Sequence, residues 1–236
     1  KISLERGLSN STVYSMTQDR NGNLWVGTSD GLNKYDGYHF SVYRHDATVA
    51  SSICSNQIRC VKMDGLGLLW IGTMQGLSFY DAQKNAFENY SFLQNDDCVQ
   101  IYDIDFLNST ELLLATNFGL YVFDKQSHSF LKAEGFPNIK VFSVLRHSDF
   151  VLVGTLNGLH RYYPHTGKSE PVSSLFPNSQ ISSLLHDSKN GIVWAGTEGK
   201  GLFRINLTDW SIRQFTHDKQ RPSSISSNFI RSLCFD

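Results

Sequence analysis

The first 45 residues alternate between short apolar segments and turn-forming residues. VYSMTQD (13–19) alternates around apolar residues, and LWVGT (24–28) is a nearly continuous apolar run, as expected of a strand buried on both faces. GLNKYD (31–36) and FSVYRH (40–45) follow, with Asp, Asn and Gly residues in the turns between segments. The pattern predicts four short strands connected by hairpins.

The same pattern recurs along the chain. GLLWIGTMQGLSFYD, FVLVGTLNGLHRYYP and GIVWAGTEGKGLFRI repeat its central part, and ELLLATNFGLYVFD is a looser copy. Its threonine stands at Thr28, Thr73, Thr116, Thr155 and Thr197, with successive spacings of 45, 43, 39 and 42 residues. Several short strands in a unit of roughly 40–45 residues are typical of β-propeller blades. The sequence therefore predicts an all-β protein with five four-stranded β-propeller blades.

The repeat positions give approximate blade boundaries. Blades are expected at 7–52, 53–96, 97–137, 138–178 and 179–224, and the start of a sixth at 225–236. Residues 1–5 align with the outermost strand of a repeat, so we expect them to complete the closing blade. Because seven blades need about 300 residues at this period, the chain is expected to be a fragment of a seven-bladed ring.

Such a fragment would have edges without a neighbour. On the outward face of the fifth blade, Phe203, Ile205 and Trp210 would lose packing. Exposing apolar side chains of this size costs about 1.5–3 kcal/mol each, and unpaired strand edges promote association. The chain is therefore expected to self-associate, for example as a dimer.

Aspartates recur at the end of the first strand of a repeat. They stand at Asp19, Asp64, Asp105 and Asp187. An Asp in a turn can accept hydrogen bonds from backbone N–H groups two residues further on, which fixes the turn. This interpretation is favoured over a metal-binding or catalytic role because a repeated turn explains a repeated residue.

Tryptophan and glycine recur within the second strand. Trp25, Trp70 and Trp194 are expected to pack between blades, with Leu114 and Leu152 or their neighbours as equivalents, in preference to stacking on a sugar. Gly27, Gly72, Gly154 and Gly196 precede the repeated threonines, and Ala115 takes that place in the third blade. Small residues there let neighbouring sheets approach each other.

Composition narrows the class of protein. The chain is 40% hydrophobic and 18% charged, as expected of a folded globular protein, and its net charge of −1 gives no basic surface for nucleic acid or an anionic membrane. No apolar run approaches the length of a bilayer span. The four cysteines, Cys54, Cys60, Cys98 and Cys234, lack metal-site spacing, so a structural metal site is not expected. No cofactor is expected either.

The segments between blades share another motif. GLSNSTVYSM, SSICSNQIRCV and SSISSNFIRSL precede the motif D…G.LW.GT..GL…D. Together these motifs resemble the two-component regulator propeller repeat, closely in the first, second and fifth blades and more loosely in the third and fourth. That repeat is common in the extracytoplasmic sensor regions of hybrid two-component systems of gut Bacteroides and related bacteria.

The resemblance implies a periplasmic location and a role in signalling. Family members carry a periplasmic sensor of two propellers, followed by an immunoglobulin-like domain, a membrane span and a histidine kinase. Such sensors are associated with the detection of glycan breakdown products. The membrane is therefore expected to be reached only through regions beyond these residues, and the kinase activity to belong to the full-length protein.

The residues give little support to catalysis. Asp103 and Asp105 lie at alternate positions of a strand, on one face, and Asp96 and Asp97 are close in sequence. Two carboxyl groups about 5–10 Å apart are the requirement for a glycosidase, so a carboxylate pair is the strongest catalytic candidate. A turn aspartate beside a solvated one is the favoured interpretation, and no catalytic residue is expected.

Binding residues are expected where the repeats differ from each other. The positions between GT and GL vary, and so do the residues that begin the first strand of each blade. A mixture of amides, charges and aromatic rings there suits a hydroxylated ligand such as an oligosaccharide. The candidates are Asp30, Gln75, Phe118, Asn157 and Lys200, expected at one end of the axial channel, together with Arg59 and Tyr102.

Three functions follow from these observations. The favoured one is a periplasmic, ligand-sensing propeller domain that detects an oligosaccharide for a hybrid sensor histidine kinase. The alternative is a scaffold propeller that binds another protein, and a propeller glycosidase or lyase is the weakest of the three.

Overall fold

The chain folds as β-strands. The computed structural model describes residues 3–94, 96–172 and 179–235. Within these residues the regular elements are strands, apart from one short 3-10 turn at Leu4–Arg6. No helix in the described part is long and apolar enough to span a bilayer. The all-β fold predicted from the repeats is confirmed.

The described residues form five four-stranded antiparallel sheets and one two-stranded sheet. The first sheet contains β1 (Val13–Gln18), β2 (Leu24–Thr28), β3 (Gly31–Tyr35) and β4 (Phe40–Tyr43). The second contains β5 (Ile58–Met63), β6 (Leu69–Thr73), β7 (Gly76–Asp81) and β8 (Ala86–Tyr90). The two-stranded sheet follows and consists of β9 (Leu93–Gln94) and β10 (Asp97–Cys98). The third contains β11 (Ile101–Phe106), β12 (Glu111–Thr116), β13 (Gly119–Asp124) and β14 (Ser129–Lys132). The fourth contains β15 (Val141–Arg146), β16 (Val151–Thr155), β17 (Gly158–Tyr163) and β18 (Lys168–Pro171). The fifth contains β19 (Ile181–Asp187), β20 (Ile192–Thr197), β21 (Leu202–Asn206) and β22 (Ile212–Phe215). In each four-stranded sheet the strands follow one another in sequence order.

The repeated GT..G motif is a hydrogen-bonded turn. The Thr28 hydroxyl donates to the Gly31 carbonyl oxygen at 2.9 Å and accepts the Asp30 N–H at 3.1 Å. Thr73, Thr155 and Thr197 make the same two bonds in their own turns. At Gly31, φ is +109°, a left-handed conformation that side chains disfavour. The motif is therefore constant because the turn requires it.

The first strand of every four-stranded sheet contains a β-bulge. In β1, Val13 pairs with Thr28 and Ser15 pairs with Gly27, which leaves Tyr14 without a partner across the sheet. The same register shift leaves out one residue in β5, β11, β15 and β19, and these residues are Arg59, Tyr102, Phe142 and Ser182. A β-bulge changes the direction of a side chain. One residue of each first strand therefore departs from the regular alternation of side chains between the two faces of the sheet.

Neighbouring sheets meet at the glycine before the threonine. A Cβ on Gly27 would lie 2.6 Å from Cγ2 of Ile58, which begins the first strand of the next sheet. The same relationship joins Gly72 to Ile101 and Gly154 to Ile181, with closest approaches of 2.8 and 2.9 Å to the isoleucine, and Gly196 lies 2.7 Å from Ile230 in the segment after the fifth sheet. The predicted role of these glycines, close approach between sheets, is confirmed.

The connection from the first sheet to the second is held by its own side chains. His45 N–H donates to Asn56 Oδ1 at 2.7 Å, and its Nδ1 lies 2.9 Å from the Ile53 carbonyl oxygen. The Asn56 carbonyl oxygen accepts the Gly31 N–H at 2.7 Å. The segment after the fifth sheet repeats these contacts through His217, Asn228, Ile225 and Gly201. The HD…SSI.SN motif is therefore structural.

The chain divides into two compact units. The first comprises residues 1–117 and 121–131, and the second comprises 118–120 and 132–236. Trp25, Ile58 and Tyr80 lie in the core of the first unit, where residues of its first two sheets interlock. Trp25 is 2% exposed and its ring centroid is 4.8 Å from that of Tyr80, and Trp70 is 4% exposed beside Phe123. The predicted packing role is thus confirmed for Trp25 and Trp70.

The core of the second unit corrects the prediction for the fifth blade. Phe203 and Ile205 are 2% and 0% exposed, and Trp210 packs against the same cluster. The same cluster includes Leu152 and Leu159 of the fourth sheet, so the face that we expected to be open is covered. The prediction of an exposed face was wrong because these side chains pack on the preceding sheet.

Two other predicted strands are absent from the described residues. Residues 3–5 do not form an outer strand, because Leu4–Arg6 make a 3-10 turn that Gly7 ends with a φ of +104°. Lys1 and Ile2 lie outside the described residues. Residues 216–235 form no strand, and they contact the fifth sheet through a bridge between Phe229 and Glu198 and through backbone hydrogen bonds of Asn228 and Ile230.

In the third repeat, the structure differs from the predicted positions of two residues. Asp105 pairs with Leu113 within the strands and does not cap the turn, where Asn108 Oδ1 instead accepts the N–H groups of Thr110 and Glu111 at 2.8 and 2.9 Å. The equivalent of Trp70 is Leu113, since each is three residues before the threonine of its motif, and Leu114 is one position too late.

Candidate functional site

The variable residues lie at one end of each sheet. In every four-stranded sheet, the first residue of the turn between the second and third strands donates its N–H to the residue just before the first strand. The pairs are Ser29 and Thr12, Met74 and Gln57, Asn117 and Gln100, Leu156 and Lys140, Glu198 and Gln180, at 3.0–3.3 Å. The turn residues and the residues that begin the first strands therefore share one end of each sheet, as the sequence predicts.

In the first unit, three bulge residues come together. The guanidinium carbon of Arg59 lies 4.6 Å from the ring centroid of Tyr14 and 6.0 Å from that of Tyr102. Arg59 Nε donates to the sulfur of Met74 at 3.1 Å, and the Tyr102 hydroxyl donates to Gln100 Oε1 at 2.5 Å. The bulges of β1, β5 and β11 thus place a cation between two tyrosines.

The turn residues of the first unit differ in what they contact. Asp30 forms an ion pair with Arg44 at 3.0 Å, and both side chains are about half exposed. Gln75 is exposed, and its carbonyl oxygen accepts a weak bond from the Cys98 thiol at 3.6 Å. Asp30 is therefore a salt-bridged carboxylate, whereas Gln75 offers its amide to solvent.

The second unit has its own set of side chains at the equivalent positions. Asn157 and Lys200 are exposed, and Phe118 is half-buried. Lys140 Nζ lies 5.1 Å from the ring centroid of the bulge residue Phe142. A cation beside an aromatic ring thus recurs here, although the order of the two residue types differs from that in the first unit.

The predicted carboxylate pair is associated with a lysine. Lys62 Nζ lies 3.7 Å from Asp103 Oδ1, and the Asp103 and Asp105 carboxylates raise the pKa of Lys62 while burial opposes them. Lys62 belongs to β5, so the two carboxylates of β11 are explained as partners of a cation on the neighbouring sheet. Among the described residues no group of His, Cys, Asp or Glu side chains has the arrangement to hold a metal ion.

Three contacts escaped the sequence reasoning. Met74, Gln100 and Arg44 support Arg59, Tyr102 and Asp30, respectively. Met74 and Gln100 stand at positions that vary between the repeats, and this variability is the feature of the sequence that could have indicated them. Arg44 lies 14 residues after Asp30, and nothing in the sequence pattern indicates that pairing.

A cleft of about 560 Å³ opens at the opposite end of the first two sheets. It is lined by the turns that follow β1, β5 and β7, including Arg20, Leu66 and Gln83. Leu66 is 70% exposed. The variable residues of the repeats do not line this cleft, so it is separate from the predicted binding residues.

These features define the class of the protein. Each four-stranded sheet is formed by consecutive strands of one sequence repeat, and glycine–isoleucine contacts pack neighbouring sheets together. This is the architecture of β-propeller blades. Residues 7–30 match the family model described as two component regulator propeller. The resemblance that the repeats indicate is thereby confirmed.

Several similar proteins come from signalling systems. Histidine kinase P4 of Formosa agariphila is 53% identical over 47 residues, which are 20% of this chain and 3% of that protein. The extracellular domain of the hybrid two-component system BT4673 of B. thetaiotaomicron is 26% identical over 96% of this chain and 36% of that one, with a TM-score of 0.72. That of the hybrid two-component system BT3049 of the same organism is 24% identical, covers 94% of this chain and 33% of that one, and has a TM-score of 0.78.

The chain is much shorter than the proteins it resembles. It spans about a third of the length of each of these solved extracellular domains and 3% of the curated histidine kinase. The similarity at 24% identity shows a shared fold alone.

Proposed function

We propose that this chain is part of the periplasmic sensor region of a hybrid two-component histidine kinase, and that it detects an oligosaccharide. The observation that carries the proposal is the similarity of 96% of the chain to an extracellular domain of such a system. The kinase and the membrane span belong to the full-length protein and are outside these residues.

The distribution of variable residues supports ligand binding. The constant residues are used by turns, glycine contacts and loop bonds, whereas the side chains at the first-strand end of the sheets vary between repeats. Gln75, Asn157 and Lys200 are exposed there. Amides and cations of this kind bind sugar hydroxyl groups through hydrogen bonds.

Calorimetry with the purified chain tests the proposal. We expect at least one oligosaccharide from a panel of plant, algal and animal polysaccharide digests to bind, and either Gln75→Ala in the first unit or Lys200→Ala in the second unit to weaken its binding. The matched controls, Gln83→Ala and Lys189→Ala, each replace an exposed residue of the same type in a turn at the other end of its sheet and should leave the affinity unchanged. A reporter strain with the full-length gene should respond to the same oligosaccharide.

A different result would contradict the proposal. If no oligosaccharide of the panel binds or induces the reporter, and a protein partner binds at the same residues, the chain is a scaffold propeller. If the bound oligosaccharide is cleaved by the purified chain, the chain is an enzyme.

A further inference from the structure

We propose that Arg59, held between Tyr14 and Tyr102, binds an oxyanion of the oligosaccharide, either the carboxylate of a uronic acid or a sulfate ester. The inference rests on the function proposed above and specifies its ligand as an acidic glycan. Three neighbouring first strands supply these residues, one from each bulge.

The guanidinium group is held before any ligand arrives. Its carbon lies 4.6 Å from the Tyr14 ring centroid, within the range of a cation–π contact, and Nε is engaged by the Met74 sulfur at 3.1 Å. The more distant Tyr102 ring, at 6.0 Å, is itself tied to Gln100. Restricting a long side chain in this way lowers the entropy that binding would otherwise cost.

The terminal amino groups of Arg59 remain open to a ligand. Within the described residues, Nε makes the only hydrogen bond of this side chain to protein, and no carboxylate lies within 4.0 Å of its nitrogen atoms. No described side-chain nitrogen is both buried and without a partner, so these donors are reachable from solvent. Arg44 and Arg161, by contrast, are neutralised by Asp30 and Glu170.

The geometry of the free donors selects an oxyanion. A guanidinium presents parallel N–H groups that match two oxygens of a carboxylate or sulfate, and such charge-assisted bonds are roughly twice as strong as neutral ones. A neutral sugar hydroxyl would use one donor and leave the positive charge without compensation. Gln57, exposed at the start of the same strand, is available for the hydroxyl groups of the sugar.

Nuclear magnetic resonance of the purified chain tests the site directly. The probes are glucuronate, glucose 6-sulfate and glucose, and the signals are the Arg59 side-chain nitrogens and the ring protons of Tyr14 and Tyr102. We expect saturable shifts with at least one of the two charged probes and none with glucose. A response to glucuronate alone identifies a carboxylate site, and a response to glucose 6-sulfate alone identifies a sulfate site.

Variants separate binding from folding. Arg59→Gln should weaken binding of the charged probe at least tenfold, and Arg59→Lys should restore part of it because the charge returns without the planar fork. Arg20→Gln removes an exposed arginine from the turn at the other end of the first sheet and should have no effect. If Arg59→Gln does not fold, as judged by circular dichroism, the comparison of Arg59→Lys with the unaltered chain decides.

The proposal is overturned if neither charged probe shifts the signals, if glucose shifts them equally, or if Arg59→Gln lowers the melting temperature and leaves probe binding unchanged. Its failure differs from failure of the sensor function. A neutral oligosaccharide that binds independently of Arg59 would overturn the oxyanion site and leave the sensor function standing. If charged probes bind at Arg59 but the chain binds no oligosaccharide, the anion site stands and the proposed oligosaccharide sensing is overturned.

Discussion

The side chain of Ile58 occupies the space in which a β-carbon of Gly27 would lie, with Cγ2 2.6 Å from that position. Gly27→Ala therefore has to displace Ile58 and the sheet that carries it. We expect a loss of about 1–3 kcal/mol in the free energy of unfolding, the usual cost of overpacking. Chemical denaturation of the purified chain measures this loss.

The chain offers a matched control for this substitution. Gly65 has no atom within 4 Å of its would-be Cβ, and its backbone is outside the left-handed region. Gly65→Ala should change the free energy of unfolding by no more than about 0.5 kcal/mol. Equal losses for both alanine variants would show that close packing at Gly27 does not matter to stability.

Thr155→Val tests the turn motif. The Thr155 hydroxyl is buried, donates to the Gly158 carbonyl oxygen at 2.8 Å and accepts the Asn157 N–H at 3.0 Å. Valine has the same shape but leaves both groups unsatisfied, which should cost about 1–3 kcal/mol. Thr208→Val, at an exposed threonine, should leave the denaturation midpoint nearly unchanged, and a similar loss at both sites would contradict the role of the turn.

Lys125→Met tests a largely buried ion pair. Asp64 Oδ2 accepts from Lys125 Nζ at 3.0 Å and from Trp70 Nε1 at 3.3 Å, and the Asp64 side chain is 4% exposed. Removing one partner of a buried pair costs roughly 3–5 kcal/mol; because Asp64 keeps its N–H donors, we expect the lower end of that range. Lys84→Met, at a lysine that is 68% exposed, should leave the denaturation midpoint nearly unchanged, because an exposed ion pair contributes little to stability.

The same ion pair predicts a pH dependence. Burial alone would raise the pKa of Asp64, but the Leu68 N–H and Lys125 outweigh it, so that the pKa lies below its ordinary value of 3.8. A depressed pKa contributes stability above the unfolded-state value, and that stability is lost as the pH falls through the folded-state value. Lys125→Met should therefore reduce the stability lost between neutral pH and acid below 3.8. An unchanged acid loss, measured by urea denaturation at both pH values, would contradict this.

The cysteines should differ in their reaction with iodoacetamide. Burial raises the pKa of the Cys60 and Cys54 thiols, and Cys60 is buried whereas Cys54 is half-buried and Cys234 is exposed. Because the thiolate is the nucleophile, Cys234 should be alkylated first and Cys60 only on unfolding. Mass spectrometry of a time course at mildly alkaline pH measures the order, and early labelling of Cys60 in the folded chain would contradict the buried position.

The sequence predicted the repeated frame well because its interactions are local. The Thr28 turn comprises the four residues 28–31, and the Asp19 carboxylate accepts N–H groups from Asn21 and Asn23 within its own turn. A motif that closes on itself in so few residues can be recognised wherever it recurs. The third repeat was misaligned at Asp105 because Asn108 replaces aspartate and the turn is shifted along the chain.

Tertiary structure decided the candidate site and the packing of the fifth sheet. Tyr14 and Arg59 are 45 residues apart in sequence, and their contact depends on bulges in two strands that only the sheet registers reveal. Likewise, Phe203 is buried by the fourth sheet, although its own strand carries no sign of which neighbour covers it. The sequence by itself determined the repeat, the turns and the alternation of strands, since these depend on neighbours along the chain; the stacking of Arg59 between tyrosines was decided by contacts between sheets, which no local pattern encodes.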